Sequence, residues 1–370
     1  MSELAKLSST PAGADVSDRL VTLIDPSHDD RWDRFVQSHR NGSLYHHSLW
    51  KEVIANTYGY EPHYYIVQSR GSIRAAVPFF LIRSAITGTR LVSLPFSDTC
   101  NPLVDDADDL RLILVQARDV ANKIEAKEIE IRCIGDQAIS DPKFVLRQSS
   151  HVNHRLRLSE ELNVIKAGFH KNYILRNIKK AEREKVRINV GQTEHDMSTF
   201  YGLYLRTRRQ HGLPAMPYLF FRNMWQRLYP AHKLQVLLAV HASKAIAGIL
   251  IATHGSTMYY LYGGSNAKTR VRGASQLLLW HAIQEAHAAG LTFFDFGRTA
   301  TNNIGLLEFK RRWGSEERPL TSCTWSRKPQ ANDLLLNRHP AEYGILQNLI
   351  KRLPLSVLRI SGGLIYKHLG

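Results

Sequence analysis

An acidic and a basic side chain meet at the end of a predicted strand in the sequence FDFGR, which begins at Phe294. Phe294 and Phe296 alternate with Asp295, and this period-two pattern is typical of a half-buried strand. Gly297 interrupts the pattern, so Asp295 and Arg298 are expected beside a turn. Both are candidate substrate-binding residues. The alternative is an ion pair between them that pins the turn.

A predicted helix follows this turn and carries a lysine. From about Ile304 the apolar spacing becomes helical, and Leu306, Lys310 and Trp313 fall near one face at i, i+4 and i+7. The spacing brings both close to the end of the strand, where Lys310 is a candidate site residue and Trp313 a candidate substrate-binding residue. A solvated helix lysine is the alternative for Lys310.

A second stretch, TMYYLYGGSNAKTRVRGASQLLLWHAIQEA, has the pattern of a phosphate-binding turn. A tyrosine-rich strand ends in two glycines, a basic loop follows, and a long helix then begins. Free backbone N–H groups and about half a positive charge at a helix N-terminus favour phosphate there. The predicted phosphate-binding residues are Arg270, Arg272, Gly273, Ala274 and Ser275.

The composition limits the kinds of protein in which these sites could occur. The chain has 370 residues, which suggests about two domains, and its net charge of +16 favours anionic partners without choosing among them. No apolar run of about eighteen residues is present, and the first residues lack the pattern of a secretion signal. The three cysteines are widely spaced, and no HExxH or paired CxxC occurs. The cysteine pattern favours a reducing compartment, so we expect a cytoplasmic protein with no metal site. No DNA partner is expected either, although the charge alone does not exclude one.

The order of predicted elements occurs twice. A strand, two helices, a three-stranded meander, a helix and a strand run from LVTLI to EIEIRCI and again from VRINVGQ to LTFFDFG. This indicates an internal duplication. Between the two passes lies the most basic predicted helix, in which Ile174 and Ile178 are expected to pack inward. It is either a solvated linker or a phosphate-facing edge of a cleft between the halves.

At this point the chain resembles a known family. The loop from Arg270 to Ser275 resembles the acyl-donor loop of the GNAT acyltransferases, usually Q/R-x-x-G-x-G/A, with Ser275 departing at the last position. Two such domains in tandem resemble the FemABX peptidyltransferases, and more closely the FemAB-like proteins of bacterial exopolysaccharide and exosortase loci. The resemblance covers about Leu20 to Trp325 and rests on SLYHHSLWKEVI, VPFFLIRSAITGTRLVSLPFSD, YLYGGSN, FDFGR and EFKRRWG.

The resemblance implies an α/β (α+β) fold of two tandem GNAT-like domains, each a mixed, mostly antiparallel sheet flanked by helices. Predicted boundaries are a disordered start at 1–18, a first domain at 19–158, a basic connecting helix at 159–187, a second domain with the donor site at 188–326, and a linker and basic amphipathic tail at 327–370. The first domain has the acidic NPLVDDADDLR where the second has its basic loop. Only the second domain is therefore expected to bind a donor.

Functional roles carry over where the motifs align. Lys310 resembles the family lysine held near the reacting carbonyl, Tyr262 a tyrosine lining the acceptor channel, and Asp98 an aspartate discussed as a base. Arg208 resembles an arginine that binds acidic groups of the precursor, and Lys51 a lysine that binds an acceptor phosphate.

Some of these positions have plain structural alternatives. Tyr260, a candidate substrate-binding residue, and Tyr262 alternate along a strand and could both be ordinary strand aromatics. Asp98 could simply cap the TCNPL turn that follows it.

The implied function is acyl transfer. The resemblance predicts transfer of an acyl or aminoacyl group from acyl-CoA or aminoacyl-tRNA, with no permanently bound cofactor, to an amine or hydroxyl of a lipid-linked or saccharide precursor of the cell envelope or an exopolysaccharide. No G-x-S-x-G elbow is present, which favours direct attack. A peptidoglycan-type aminoacyl-tRNA-dependent peptidyltransferase and a non-catalytic binding protein for an anionic envelope polymer are the alternatives.

The C-terminal segment ILQNLIKRLPLSVLRISGGLIYKHLG is apolar and basic. It either lies on an anionic membrane, which gives peripheral contact with the inner face of the cytoplasmic membrane, or packs back on the domain.

Overall fold

A computed structural model of the chain describes residues 18–134, 141–158, 160–269, 271–328 and 347–368. The predicted disordered start, the polar linker after the second domain and Arg270 therefore lie almost entirely outside the described residues.

Twelve strands of the described residues form one continuous sheet. In chain order they are β1 Leu20–Ile24, β2 Glu61–Ser69, β3 Ser72–Ser84, β4 Gly88–Val92, β5 Glu128–Ile134, β6 Val145–Arg157, β7 Arg187–Val190, β8 Leu234–His241, β9 Lys244–His254, β10 Thr257–Ser265, β11 Phe293–Ala300 and β12 Glu316–Ser326. Their order across the sheet is β1-β2-β3-β4-β5-β12-β6-β11-β10-β9-β8-β7.

The sheet repeats its own pattern from each edge towards the centre. Strands β1 to β4 form an antiparallel meander, and β4 then pairs in parallel with β5. From the other edge, β7 to β10 form the same meander, and β10 pairs in parallel with β11. This is the duplication that the sequence indicates.

The two halves are joined by strands that sequence reasoning missed. Strand β6 follows β5 in the chain but pairs with β11, while β12 follows β11 but pairs with β5. The two exchanged strands also pair with each other. One sheet therefore crosses the junction, and the predicted domain boundaries stay a prediction.

Ten α-helices with both ends inside the described residues pack on this sheet. They are α1 Asp30–Ser38, α2 Ser48–Tyr58, α3 Ala107–Lys123, α4 Leu162–Ala167, α5 Arg176–Arg183, α6 Glu194–Gln210, α7 Tyr218–Leu228, α8 Ala274–Ala288, α9 Ile304–Arg311 and α10 Leu355–Tyr366. Apolar side chains of α2, α6 and α7 join one core on one face, shared by both halves. On the opposite face, α8 and α3 cover separate cores of the second and first half.

The basic connecting segment is not one continuous helix. Helix α4 ends at Ala167, a π-helical turn spans Lys171–Leu175, and α5 follows it. Ile174 and Ile178 are buried, as their spacing predicts, and most of the cations are exposed. The segment therefore packs on the second half by a narrow apolar stripe.

Helix α10 packs back on the fold by one face. Leu358 and Gly362 are buried, and Gly362 lies so close to the Ala215 carbonyl that no side chain would fit. The Tyr60 hydroxyl donates to the Lys367 carbonyl at 2.9 Å. No helix within the described ranges is long and apolar enough to cross a membrane.

Candidate active site

Two neighbouring strands of the second half separate at a pair of β-bulges. Strands β10 and β11 pair in parallel up to Tyr259 and Asp295. Beyond that point the register of β10 with β9 shifts between Tyr260 and Tyr262, and that of β11 with β6 shifts between Asp295 and Gly297. Bulges bend the strands and turn side chains and backbone groups out of the ladder. The parallel pairing therefore ends at Tyr259 and Asp295, and the place where β10 and β11 part is called the notch.

Lys310 reaches the bulge of β11 from helix α9. Its side chain is 3% exposed, and Nζ donates to the carbonyls of Gly297 at 2.9 Å and Arg298 at 3.1 Å. Burial lowers the pKa of Lys310 to about 8, although the carboxylates of Asp98 and Asp295 oppose this shift. An ammonium has three N–H donors, and these two carbonyls occupy two of them. The third can stabilise negative charge on a substrate.

Asp98 brings a carboxylate from the first half to the same bulge. The Tyr45 hydroxyl donates to Asp98 Oδ2 at 3.1 Å, and Arg298 Nε lies 3.6 Å from Asp98 Oδ1. Gly297 has φ +74°, and an added Cβ would lie 2.5 Å from Asp98 Oδ2. Only glycine allows this approach without strain. The site is therefore built across the junction of the two halves.

Asp295 holds the bulge together. Its Oδ1 accepts hydrogen bonds from Asn153 Nδ2 at 2.9 Å and from the Gly297 backbone N–H at 2.7 Å. Burial raises the pKa of Asp295, and the Asp98 carboxylate adds to this. The Asp295–Arg298 ion pair considered from the sequence is not formed, since Arg298 pairs with Asp98 instead. Asp295 Oδ1 is thus held inside the turn, and the predicted contact of Asp295 with a substrate stays a prediction.

Tyr262 forms the apolar wall of the notch. Its ring makes edge contacts with Tyr204 of α6 and with Phe220 and Phe221 of α7, at 5.3–6.0 Å between centroids. Burial raises the pKa of Tyr262 well above its usual range, and Tyr204 and the Asp98 carboxylate contribute. Its hydroxyl therefore stays protonated at neutral pH. It can donate or accept a hydrogen bond but cannot act as a base.

Trp313 and Lys51 are both engaged with other parts of the fold, and their predicted substrate roles stay predictions. Helix α9 ends at Arg311, so Trp313 leaves its helical face and packs, fully buried, against Phe169. The Lys51 ammonium lies 2.6 Å from Asp25 Oδ1, in an ion pair whose carboxylate is 43% exposed. Trp313 is thus enclosed by the core, while Lys51 is held beside Asp25.

Two further predicted residues border the site. Tyr260 lies on the opposite face of the sheet from Tyr262, against the core of the second half, and its predicted substrate role stays a prediction. Arg208 Nε donates to the Pro214 carbonyl at 2.8 Å, and one Nη lies 3.3 Å from the Tyr366 hydroxyl. Arg208 therefore links the aromatic wall to the C-terminal helix.

The predicted phosphate-binding residues line a cavity of about 470 Å³. Arg272, Gly273, Ala274 and Ser275 lie on its wall together with the end of β10, while Arg270 lies outside the described residues. Gly273 has φ +88° and begins helix α8. The turn therefore presents backbone N–H groups and the positive end of a fifteen-residue helix to the cavity.

The corresponding turn of the first half is acidic in the structure. Asp106 caps α3 and lies 3.0 Å from Arg19, and Asp109 in the first turn lies 3.1 Å from the same guanidinium. These carboxylates occupy the helix N-terminus, where they would repel phosphate.

Sequence reasoning missed two residues of the site. Tyr45 lies in the quoted SLYHHSLW stretch, but the spacing of that stretch gives no sign that its hydroxyl meets Asp98, 53 positions later. Asn153 lies on β6, which the sequence analysis did not recognise as a strand.

Comparisons with known proteins agree with this architecture. The family model described as an acetyltransferase (GNAT) domain matches residues 168–311. A UDP-N-acetylmuramoylpentapeptide-lysine N(6)-alanyltransferase from Weissella viridescens is 20% identical over 268 residues, covering 66% of this chain and 77% of the relative.

Among solved structures, the crystal structure of FemX matches with a TM-score of 0.68 at 16% identity, covering 86% of this chain and 98% of FemX. A tandem GNAT protein from the clavulanic acid biosynthesis pathway matches with a TM-score of 0.53 at 11% identity, covering 85% of this chain and all of that protein. L-PGS from Bacillus licheniformis matches with a TM-score of 0.52 at 13% identity, covering 87% of this chain and 96% of L-PGS.

The family match gives residues 168–311 a GNAT-type domain, and the FemX and tandem GNAT structures share the fold of most of the chain. Together with the Weissella relative, these matches support acyl or aminoacyl transfer. The predicted resemblance to the FemAB-like family is confirmed by the Weissella alanyltransferase and by FemX.

Proposed function

We propose that this enzyme transfers an aminoacyl or acyl group from a nucleotide-linked donor to an amino group of a cell-envelope precursor. The observation that carries the proposal is the buried Lys310 ammonium, held at the bulge by two carbonyls with one N–H unused by them. A donor of this kind, aimed at a reacting carbonyl, stabilises the oxyanion of acyl transfer.

The reaction needs no covalent enzyme intermediate. The acceptor amine attacks the donor carbonyl in the notch, the negative charge forms beside Lys310, and the leaving group departs towards the donor cavity. Asp98 can bind and orient the acceptor's ammonium group and accept its proton. Holding both reactants in place can supply roughly 7–11 kcal/mol of the barrier.

The acceptor is expected to be anionic. Arg298 and Arg132 lie together at the centre of the sheet, where Arg298 pairs with Asp98 and Arg132 pairs with Glu130. Each guanidinium has N–H donors beyond those that its carboxylate takes, and these can bind a phosphate or carboxylate of the acceptor. The Weissella relative acts by name on a UDP-linked muropeptide. We therefore favour a nucleotide-linked muropeptide over an exopolysaccharide amine.

The test is a product assay with the purified protein. Alanyl-tRNA and acetyl-CoA serve as donors, and UDP-MurNAc-pentapeptide ending in a lysine branch or an amino-sugar oligosaccharide serves as acceptor. Mass spectrometry of the acceptor should show an added alanyl or acetyl group on the muropeptide. Modification of the saccharide alone would show that the acceptor is an amino sugar and not the muropeptide. Absence of any product in all four combinations would favour the non-catalytic binding protein.

The C-terminal helix supports a membrane contact. Opposite its packed face, α10 exposes Val357, Ile360 and Leu364 at i, i+3 and i+7, and the last two are each 71% exposed. Arg359 and Lys367 flank this stripe, and residues 347–368 contain no acidic side chain. An apolar stripe within a basic segment matches an anionic lipid surface. Packing on the domain and contact with a membrane are therefore compatible, because they use opposite faces of α10.

Replacing Ile360 and Leu364 with aspartate should remove binding to vesicles of phosphatidylglycerol and phosphatidylcholine. Fully burying each aliphatic side chain contributes about 1.5–3 kcal/mol, so the loss should exceed about tenfold. Vesicle co-sedimentation measures it. Val164→Asp, at an exposed apolar site on α4, is the matched control and should bind as the wild type does. Equal binding by the double variant would show that α10 does not contact the membrane.

A further inference from the structure

An accessible acid and an accessible base stand side by side at the bulge of β11. Arg298 Nε lies 3.6 Å from Asp98 Oδ1, and the two side chains are 37% and 26% exposed, so a ligand can reach both. The backbone carbonyl of Arg298 also accepts a hydrogen bond from Lys310 Nζ at 3.1 Å. The Asp98–Arg298 pair therefore lies directly beside the proposed oxyanion donor.

The neighbouring carboxylates are engaged elsewhere. Glu130 accepts from the Arg132 guanidinium at 2.9 and 3.3 Å. Asp295 Oδ1 accepts two hydrogen bonds that hold the turn. Among the residues that the structure describes, Asp98 is the one carboxylate that pairs with Arg298. A single negative charge thus serves this guanidinium.

A plain alkyl ammonium would unbalance this arrangement. In the proposed reaction the ammonium of the acceptor binds Asp98, which places one carboxylate between two cations, the ammonium and Arg298. Cations in a partly buried site repel each other strongly, because their surroundings screen them less well than water does. An acceptor with a carboxylate beside its amine removes this conflict, since a carboxylate can bind a guanidinium through two parallel N–H donors.

We propose that the acceptor amine belongs to an amino-acid centre, with a carboxylate on the same carbon, and that Arg298 selects this carboxylate. The ammonium binds Asp98, and the carboxylate binds the Nη groups of Arg298, which make no hydrogen bond with any described residue. The inference rests on the proposed function and narrows its acceptor. In a muropeptide the branch residue is then diaminopimelate, which is lysine with a carboxylate on the carbon that bears the side-chain amine. The Weissella relative acts by name on lysine, so the two enzymes would differ in this choice.

Two acceptors that differ by this one carboxylate test the proposal. They are UDP-MurNAc-pentapeptide with diaminopimelate at the branch and the same compound with lysine, and kcat/KM is measured for each with alanyl-tRNA or acetyl-CoA as donor. Diaminopimelate should be preferred by about tenfold or more, the effect of one hydrogen-bonded ion pair. Arg298→Gln should bring the ratio of the two kcat/KM values close to one. Arg298→Lys keeps the charge without the paired donors and should retain part of the preference.

Arg157→Gln is the matched control. It removes the same charge from an exposed position on β6, the strand paired with β11, and should keep the wild-type ratio. Equal kcat/KM values for the two acceptors, or a preference for lysine, would overturn this inference and leave the proposed function standing. A preference that persists in Arg298→Gln, or disappears in Arg157→Gln, would show that Arg298 does not select the carboxylate. Product from neither acceptor would overturn both this inference and the choice of a muropeptide.

Discussion

Replacing Lys310 with methionine is expected to lower the transfer rate about 10²–10³-fold, the usual cost of removing one oxyanion donor. The protein should stay folded. At neutral pH, lowering the pKa of Lys310 from 10.5 to about 8 corresponds to a cost of about 3 kcal/mol for the buried ammonium. Methionine removes that cost but leaves two carbonyls unpaired, at about 1–3 kcal/mol each. The two effects oppose each other, so the free energy of unfolding should change by less than about 3 kcal/mol.

Single-turnover rates and chemical denaturation measure the two quantities separately. Arg311→Met is the matched control, because this neighbouring cation pairs with Glu308 and Glu317 on the surface and should keep its rate. A Lys310→Met enzyme with a rate within about twofold of the wild type would remove Lys310 from the mechanism.

The pH dependence of the transfer rate follows from the lowered pKa of Lys310. A protonated Lys310 is needed to stabilise the oxyanion, so the wild-type rate should fall as pH rises through about 8. A rate that rises there would make Lys310 a base. The effect of pH on stability has the opposite sign, so the free energy of unfolding should rise over the pH range in which the rate falls. The folded pKa lies below the unfolded one, so the burial cost is fully present below about 8 and disappears as pH rises towards 10.5. This gain should be absent from Lys310→Met.

Much of the second half of the site could be predicted because it is local in sequence. Three features follow one another directly in the chain: the period-two strand, its break at Gly297 and the helix that carries Lys310. Each has a clear periodicity or a clear break in one. Trp313 was misplaced because the helical period was extended past Arg311, where α9 ends. A helix boundary depends on capping and packing, which spacing alone does not define.

The contribution of the first half could not be predicted in the same way. Asp98 meets Gly297 across almost two hundred positions, and their contact depends on how the two halves share one sheet. That arrangement depends on β6 and β12. Strand β6 exposes Val145 and Leu146 while burying Asn153 and His154, so it lacks the apolar alternation that marks a strand. Its neighbours on both sides hold it by backbone pairing.

Gly273→Ala is expected to damage the donor site and the fold together. At φ +88° an alanine is strained by about 1–3 kcal/mol, and its Cβ would overlap the backbone carbonyl of Asn177 on α5. Because the overlapping atom belongs to the backbone, α8 or α5 must move, which adds about 1–3 kcal/mol. Moving the start of α8 displaces the N–H groups that face the donor. A displacement of about 1 Å can cost about 10²-fold in rate.

Gly290→Ala is the control that separates the backbone strain of a positive φ from the displacement of α8. Gly290 follows the same helix with φ +68°, but no atom lies within 4 Å of the added Cβ. This control should lose only the strain energy and should bind the donor normally. Denaturation curves and calorimetric titration with coenzyme A or an uncharged tRNA compare the two variants. If Gly273→Ala loses no more stability and no more donor affinity than Gly290→Ala, the packing of the turn on α5 does not shape the donor cavity. If it loses both, the connecting helix positions the donor through Asn177 without contacting it.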